Sequence, residues 1–239
     1  MEFESPLLEG TLERRYKRFL ADVRLSDGSR VTAHCPNTGS MMGCMAPGSR
    51  VWLRDTGNRQ RKYPLSWELV EVDGGTLVGI NTARSNALVR EAIEAGVIAE
   101  LRGYLHVRGE VRYGNENSRI DLLLEDDDGG RCYVEVKNVT AAAAGHVALF
   151  PDAVSTRGTR HLRELAAVAG QGDRAVIVYC VQRGDVNEVR PADDIDPDYG
   201  RALRQALDQG VQALAYQARI SPAGIALVCP LPVVCPGRE

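Results

Sequence analysis

The sequence of 239 residues predicts two domains, a small β barrel followed by an α/β domain. Residues 1–72 contain short strand-like segments broken by Gly, Asn and Pro, which is typical of a small all-β domain. After Asp73, Gly74 and Gly75, segments with helical period alternate with short apolar runs. We therefore expect one domain over residues 1–72 and a second over residues 73–239.

The first domain is predicted from its strands and the turns between them. A polar turn with Gly at residues 26–29 interrupts an alternating stretch, which indicates a hairpin. Residues 34–48 are rich in Pro and Gly and are expected to form a loop. The predicted strands cover residues 16–25, 30–33, 51–54 and 67–72. About five short strands in a segment of this size suit a barrel such as an OB-fold, and other small β barrels fit the same pattern.

The second domain is predicted from alternating helices and strands. Residues 155–169 place apolar side chains at i, i+3, i+4 and i+7, as on one face of a helix. Residues 175–181 are continuously apolar, which is typical of a strand buried on both faces. The other predicted helices cover residues 83–96 and 197–210, the latter closed by Gly210. The other predicted strands cover residues 104–113, 119–125, 131–139, 211–220 and 225–228.

Composition narrows the class of protein. No apolar run approaches the length of a membrane span, and the N-terminal segment lacks the apolar stretch of a secretory signal, so we expect a cytoplasmic protein without a membrane partner. Six cysteines without a CxxC motif suit a reducing compartment. His34, Cys35 and Cys44 lack a fourth zinc ligand at a sensible spacing, so a structural role is the better interpretation.

The residues most informative about chemistry lie in the segment 118–140. If the turn centred near Asp128 closes a symmetric hairpin, three apolar pairs share one face: Ile120 with Val136, Leu122 with Val134, and Leu124 with Cys132. The opposite face then places Asp121 across from Glu135, with Lys137 two residues further along the same strand.

This face predicts a metal site. Two opposed carboxylates repel each other, and a divalent cation bound between them removes the repulsion. We expect Asp121, Glu135 and the Val136 carbonyl to bind Mg²⁺ or Mn²⁺, and Lys137 to support the charge that develops in phosphodiester cleavage. A plain ion network on a solvated face is the alternative, because the D…ExK spacing alone occurs by chance in many proteins.

Clusters of basic residues suggest contacts to nucleic acid, although the formal net charge is −3. In the first domain, Tyr16 and Phe19 lie among cations, a composition that suits stacked bases and paired phosphates. In the second domain, basic residues open the helix at 155–169, where phosphate binds well. Solvated protein faces are the alternative for both groups. The candidates are Arg14, Arg15, Lys17, Arg61, Lys62, Arg157, Arg160 and His161.

Several longer motifs resemble one known family. The chain looks like sugar fermentation stimulation protein A essentially from end to end, and the resemblance rests on RRYKRFLADV, HCPNTGSM, RKYPLSWEL, SRIDLLL, CYVEVKNVT and FPDAVSTRGTRHLREL, which begin at residues 14, 34, 61, 118, 132 and 150. It implies an N-terminal OB-like domain, a C-terminal PD-(D/E)XK (restriction-endonuclease-like) domain, DNA binding, and a link to regulation of sugar, chiefly maltose, metabolism genes.

The resemblance also assigns the nuclease motif to Asp121, Glu135 and Lys137. Ile120 stands where the motif has Pro, a position that is often replaced in such nucleases. The usual additional acidic residue has three candidates, Glu91, Glu94 and Glu110, of which Glu91 is favoured because it lies one turn after Ala87 on the helix that opens the domain.

Three functions follow from these observations. The first is a metal-dependent DNA nuclease to which the OB-like domain delivers the strand. The second is a non-catalytic DNA-binding regulator of sugar genes with little sequence preference, since no helix-turn-helix signature stands out. The third is an RNA-directed enzyme, because OB-folds accept either polymer. Many nucleases of this fold pair to cut two strands, so a homodimer is an open alternative to a monomer.

Overall fold

In the computed structural model, which describes residues 1–114 and 118–237, the N-terminal strands form a closed barrel. The strand order is β3-β2-β1-β4-β5-β6, and a pairing of β3 with β5 closes the sheet. Its core packs around Trp67, Met41, Leu53 and Val23. The strands are Leu8–Tyr16 (β1), Leu20–Leu25 (β2), Arg30–His34 (β3), Arg50–Asp55 (β4), Leu65–Val72 (β5) and Thr76–Gly79 (β6).

The barrel departs from the predicted strands at its start. The hairpin of β2 and β3 is as predicted, with Val23 opposite Val31. The single strand expected over residues 16–25 is instead interrupted, because Lys17 and Arg18 have φ of 50° and 64° and form a left-handed turn between β1 and β2. Most of β1 was not predicted from the sequence, since charged side chains alternate there with only two buried positions.

The C-terminal domain is a six-stranded sheet with helices on both faces, in the order β15-β14-β12-β9-β8-β7. Its strands are His106–Tyr113 (β7), Ser118–Glu125 (β8), Arg131–Val139 (β9), Arg174–Val181 (β12), Gln212–Ser221 (β14) and Gly224–Leu231 (β15). The helices are Ser85–Glu94 (α1), Thr156–Gly170 (α2) and Pro197–Asp208 (α3). Ala141–Ala143 (β10), Val147–Phe150 (β11) and Glu188–Pro191 (β13) form a separate small sheet.

The two faces of the large sheet bury different sets of side chains. Leu122, Val134 and Val136 pack with α1, whereas Ile120 and Leu123 pack with α2 and α3. The central strand β12 is buried on both faces, as its continuous apolar run predicted. Since β9 runs through the middle of the sheet, its odd-numbered side chains face α2 and its even-numbered ones face α1.

The predicted hairpin of β8 and β9 forms with the expected register at its closed end only. Leu124 lies opposite Cys132 and Leu122 opposite Val134, and the strand pairing ends there. The expectation that Ile120 shares the face of Leu122 is wrong, because alternation breaks at Asp121 and Ile120 packs in the other core. The two strands therefore separate at Asp121.

The two domains share buried surface. Trp52 and Leu69 of the barrel belong to the same apolar cluster as α1. The strand β6 pairs with β5, so the barrel sheet continues to Gly79, past the boundary expected after residue 72. The loop after β3 contacts the second domain, where the Ser40 hydroxyl donates to Asp152 Oδ2 at 3.0 Å. In the described part of the chain, no helix is long and apolar enough to span a membrane.

Candidate active site

The candidate site lies where β8 and β9 separate. Asp121 fills the opening, and its Oδ2 accepts a hydrogen bond from the Val136 main-chain N–H at 2.8 Å. Its Oδ1 accepts from the Asn86 side-chain amide on α1 at 2.9 Å. The aspartate therefore takes the place of a main-chain partner for β9, and both of its oxygens are held in position.

Glu135 lies on β9 beside this opening and is 2% exposed. Its Oε1 accepts from Lys137 Nζ at 2.8 Å and also from His161 Nδ1. Its Oε2 is buried and has no hydrogen-bond partner among the residues that the structure describes. A buried carboxylate oxygen without a partner is costly, so this atom indicates a site completed by a ligand.

His161 holds Glu135 and does not lie on a nucleic-acid-binding surface. The ring is 3% exposed, and its Nε2 accepts from Arg157 Nε at 3.3 Å. Because the arginine can only donate, Nε2 must be the acceptor and Nδ1 carries the proton given to Glu135. The expected role of His161 as a phosphate contact is therefore wrong, because both ring nitrogens are occupied inside the protein.

The two carboxyl groups have pKa values shifted in opposite directions. Burial, followed by the negative charge of Glu135, raises the pKa of Asp121. Burial also acts to raise the pKa of Glu135, but the hydrogen bond from His161 and the charge of Lys137 outweigh it and leave that pKa lowered. The charged form of Asp121 is therefore disfavoured at this position, whereas the charged form of Glu135 is stabilised.

The donors at this opening fit a hard divalent cation. Asp121 and Glu135 supply two carboxylates. The Val136 carbonyl projects from the same edge of β9 as the Val136 N–H, which donates a hydrogen bond to Asp121. In the two described segments no group of three or more His, Cys, Asp or Glu side chains is arranged to hold a metal. Mg²⁺ commonly binds through one or two carboxylates and completes its shell with water, so two are sufficient.

None of the three acidic residues proposed to complete the site has a hydrogen bond to Asp121 among the described residues. Glu91, the favoured candidate, is half exposed and pairs with the Met1 amino group at 2.7 Å. Glu94 pairs with Arg90 at 3.6 Å. Glu110 is exposed, with φ of 56°, at the point of β7 opposite Asp121. What α1 contributes instead is Asn86.

Sequence reasoning also missed Tyr113 and Glu164. The Tyr113 hydroxyl is buried without a hydrogen-bond partner in the described chain. Burial raises its pKa, and so do the charges of Glu135, Glu164 and Asp121, which places this ring among the carboxylates. Glu164 is 5% exposed on α2, one turn after His161. An acidic residue between the buried Leu162 and Leu165 was the available signal for it.

The basic residues predicted to contact nucleic acid differ in their exposure and in their protein partners. Lys17, Arg61 and Lys62 are exposed, and so are Arg14 and Arg157, although Arg14 pairs with Asp22 at 2.8 Å. Arg160 is half buried on α2. The Nη2 atom of Arg15 donates to the main-chain carbonyls of residues 18, 37 and 39 within 3.0 Å. Arg15 therefore holds the loop after β3, and this side of its guanidinium faces the protein.

Together the fold and the site define a two-domain protein with an OB barrel and a restriction-endonuclease-like α/β domain. Residues 14–80 match the SfsA N-terminal OB domain, and residues 83–224 match the sugar fermentation stimulation protein RE domain. The chain belongs to the sugar fermentation stimulation protein family, as its motifs predicted.

Relatives from several organisms match over the whole chain. A sugar fermentation stimulation protein homolog of Thioalkalivibrio sulfidiphilus is 63% identical and covers 95% of each chain. A homolog from Alkalilimnicola ehrlichii is 60% identical over 99% of this chain and 100% of its own length. The structure of Pyrococcus furiosus SfsA in complex with Ca²⁺ superposes with a TM-score of 0.87 at 31% identity, covering 98% of each chain. The two-domain fold is therefore that of the family.

Proposed function

We propose that this protein is a divalent-metal-dependent nuclease that hydrolyses phosphodiester bonds in DNA. The observation that carries the proposal is the set formed by the buried Glu135 and the partly buried Asp121 and Lys137 at the opening between β8 and β9. A purely structural ion pair does not require a second carboxylate beside it, and removing like charges from water is unfavourable without a compensating cation. Clusters of groups with shifted pKa values occur preferentially at functional sites.

Each residue has a separate task in this proposal. Asp121 and Glu135 would hold Mg²⁺ or Mn²⁺, with the Val136 carbonyl as a further ligand. The bound cation would supply Lewis-acid polarisation of the phosphate and a more acidic water. Lys137 would stabilise the negative charge that develops on the phosphate. Asn86 and His161 would orient the two carboxylates, as partners of metal ligands generally do.

The relative from Pyrococcus furiosus is described as a complex with Ca²⁺, which supports divalent-metal binding by this chain. Ca²⁺ and Mg²⁺ both prefer oxygen ligands, and they differ in coordination number and in the rigidity of the shell.

DNA is the proposed partner, bound with low sequence specificity. The exposed cations Lys17, Arg61 and Lys62 on the barrel and Arg157 on α2 remain candidates for phosphate contacts. Such contacts would position the strand without reading its sequence. Binding should therefore weaken steeply as the salt concentration rises.

The direct test is cleavage of labelled single- and double-stranded DNA by purified protein in Mg²⁺ or Mn²⁺, compared with EDTA. Asp121→Asn should abolish cutting, and Glu91→Gln is the matched control, since Glu91 is acidic but faces Met1. Loss of activity in Asp121→Asn alone supports the proposal. Equal cutting by wild type and Asp121→Asn would show that a contaminant or another site is responsible.

A second candidate function is DNA binding without cutting, in regulation of sugar metabolism genes such as those for maltose. The name shared by the relatives favours it, since they are sugar fermentation stimulation protein homologs. In that case wild type and Asp121→Asn would bind DNA equally, and neither would cut it under any metal condition.

A further inference from the structure

A cleft lies between the barrel and the α/β domain, at the C-terminal end of β9. Its volume is about 230 Å³. One side is formed by Asn37, Thr38 and Gly39 from the loop after β3, and the other by Asn138 and Thr140. Ligand sites occur preferentially at domain interfaces and beyond the carboxyl ends of parallel strands, and this cleft meets both descriptions because β9 and β12 are parallel.

The lining of the cleft combines unused hydrogen-bonding groups with an apolar surface. Asn37 Oδ1 is occupied by the Gly39 N–H, and Asn138 Oδ1 by Ser85 and Gln182, so the amide nitrogens of both asparagines are available within the described chain. The Thr140 hydroxyl also has no protein partner there. The apolar part of the lining is Ala141, Leu149 and Phe150.

The charge of the residues that line the cleft disfavours a phosphate as its ligand. Among the described residues that line it, only Asp152 is charged. Asp152 Oδ2 accepts from the Ser40 hydroxyl and the Met41 N–H, both at 3.0 Å, so this carboxylate is held in place. A fixed negative charge repels an anion but accepts hydrogen bonds from amino groups, such as those of nucleobases.

The size and place of the cleft fit one nucleobase. At about 30 Å³ for each water, the volume corresponds to roughly eight water molecules, the size of a single heterocycle. Asn138 follows Lys137 on β9 with its side chain on the opposite face of the strand, and Thr140 is about 10 Å beyond Lys137 at the usual rise of a strand. A nucleic-acid strand that passes around the C-terminal end of β9 would therefore place a phosphate at Lys137 and a base of the same or an adjacent nucleotide in the cleft.

We propose that this cleft binds one unpaired nucleobase of the strand whose phosphate lies at Asp121 and Glu135. A base inside a duplex cannot enter such a pocket unless it is unstacked and turned out of the helix. The substrate class is therefore single-stranded DNA or a duplex with an unpaired or extruded base. This inference rests on the proposed function for the position of the phosphate, but binding of the base itself can be measured without cutting.

The test is binding of a fluorescein-labelled decanucleotide by anisotropy in EDTA, compared with an abasic decamer that has the same number of phosphates. Wild-type protein should bind the intact decanucleotide at least tenfold more tightly than the abasic decamer. Thr38→Trp, at an exposed residue of the lining, should reduce this difference to less than twofold. Gln209→Trp, exposed beyond the end of α3, is the matched control and should retain the difference.

A second variant guards against misfolding of Thr38→Trp. Thr140→Val removes one hydroxyl at nearly constant volume and should weaken binding of the intact strand about three- to tenfold, leaving the abasic decamer unaffected. Equal binding of the two oligonucleotides by wild type would overturn the proposal. So would a free mononucleotide that binds as tightly as the strand.

The two proposals can fail separately. If Asp121→Asn abolishes cutting while Thr38→Trp leaves base-dependent binding unchanged, the nuclease stands and the base pocket is wrong. If no cutting is found but Thr38→Trp removes base-dependent binding, the pocket stands and the nuclease proposal is wrong.

Discussion

Replacement of Asp121 by Asn should make the metal-free protein more stable, although it removes a proposed catalytic residue. Asp121 is partly buried beside Glu135, and each Asp121 oxygen accepts one hydrogen bond. In Asp121→Asn the new amide oxygen can still accept from the Val136 N–H. Its nitrogen can donate to Asn86 once that side-chain amide flips, so both hydrogen bonds survive and one buried charge is lost.

The effect depends on pH with a definite sign. The pKa of Asp121 is raised from 3.8 in the folded state, mainly by burial and then by Glu135. The unfolded state therefore loses its proton first, and stability falls as pH rises from about 3.8 through the folded pKa. Glu135 has the opposite sign, because its pKa is lowered from 4.5 and its contribution is lost as pH falls through the folded pKa. The Asp121→Asn substitution removes the pH-dependent contribution of Asp121 to stability and leaves that of Glu135.

The magnitude follows from the hydrogen bonds in the structure. Asp121→Asn removes a charge held beside Glu135 and keeps both hydrogen bonds. Asp121→Ala relieves the same charge but deletes two hydrogen bonds, at about 1 kcal/mol each. We therefore expect the free energy of unfolding of the Asp121→Asn protein to exceed that of the Asp121→Ala protein by roughly 2 kcal/mol. For a domain of this size, that difference corresponds to about 4–8 °C in melting temperature.

The assay is thermal and urea denaturation of the three proteins at neutral pH in EDTA, then with Mg²⁺ or Mn²⁺. Metal should stabilise the wild type by about 2.7 kcal/mol at a hundred times its Kd, and Asp121→Asn much less. The reasoning would be refuted by an Asp121→Asn protein that is no more stable than wild type in EDTA, or that gains as much from metal.

Three further predictions concern single residues. Lys137→Ala should lower the cleavage rate about 10²–10³-fold, measured under single turnover, and an unchanged rate would remove Lys137 from the chemistry. Asn86→Ala should weaken metal affinity about 10–100-fold by calorimetry, whereas Glu91→Ala should not; the reverse ranking would restore Glu91 to the site. Arg15→Ala should cost about 1.5–3 kcal/mol in urea denaturation, because its guanidinium binds three carbonyls; a cost below about 0.5 kcal/mol would contradict that role.

The sequence by itself determined the two-domain organisation and the pair of strands that carry the site. Strands and helices with strict periods were predicted close to their observed bounds, since period depends on which face of an element is buried. The segment 131–139 was predicted with the bounds that β9 has, and Leu122 and Leu124 pair as their apolar pattern required. The local apolar pattern was sufficient to predict the bounds of these elements because each of them lies against a continuous core.

Only the tertiary structure decided how the site is assembled. Hairpin symmetry predicted Asp121 directly across from Glu135, but the strands separate there and Asp121 instead accepts from the Val136 N–H. Periodicity could not reveal that α1 turns Asn86 toward Asp121 and Glu91 toward Met1. These contacts join residues far apart in sequence, and the packing of α1 and α2 against opposite faces of one sheet sets them.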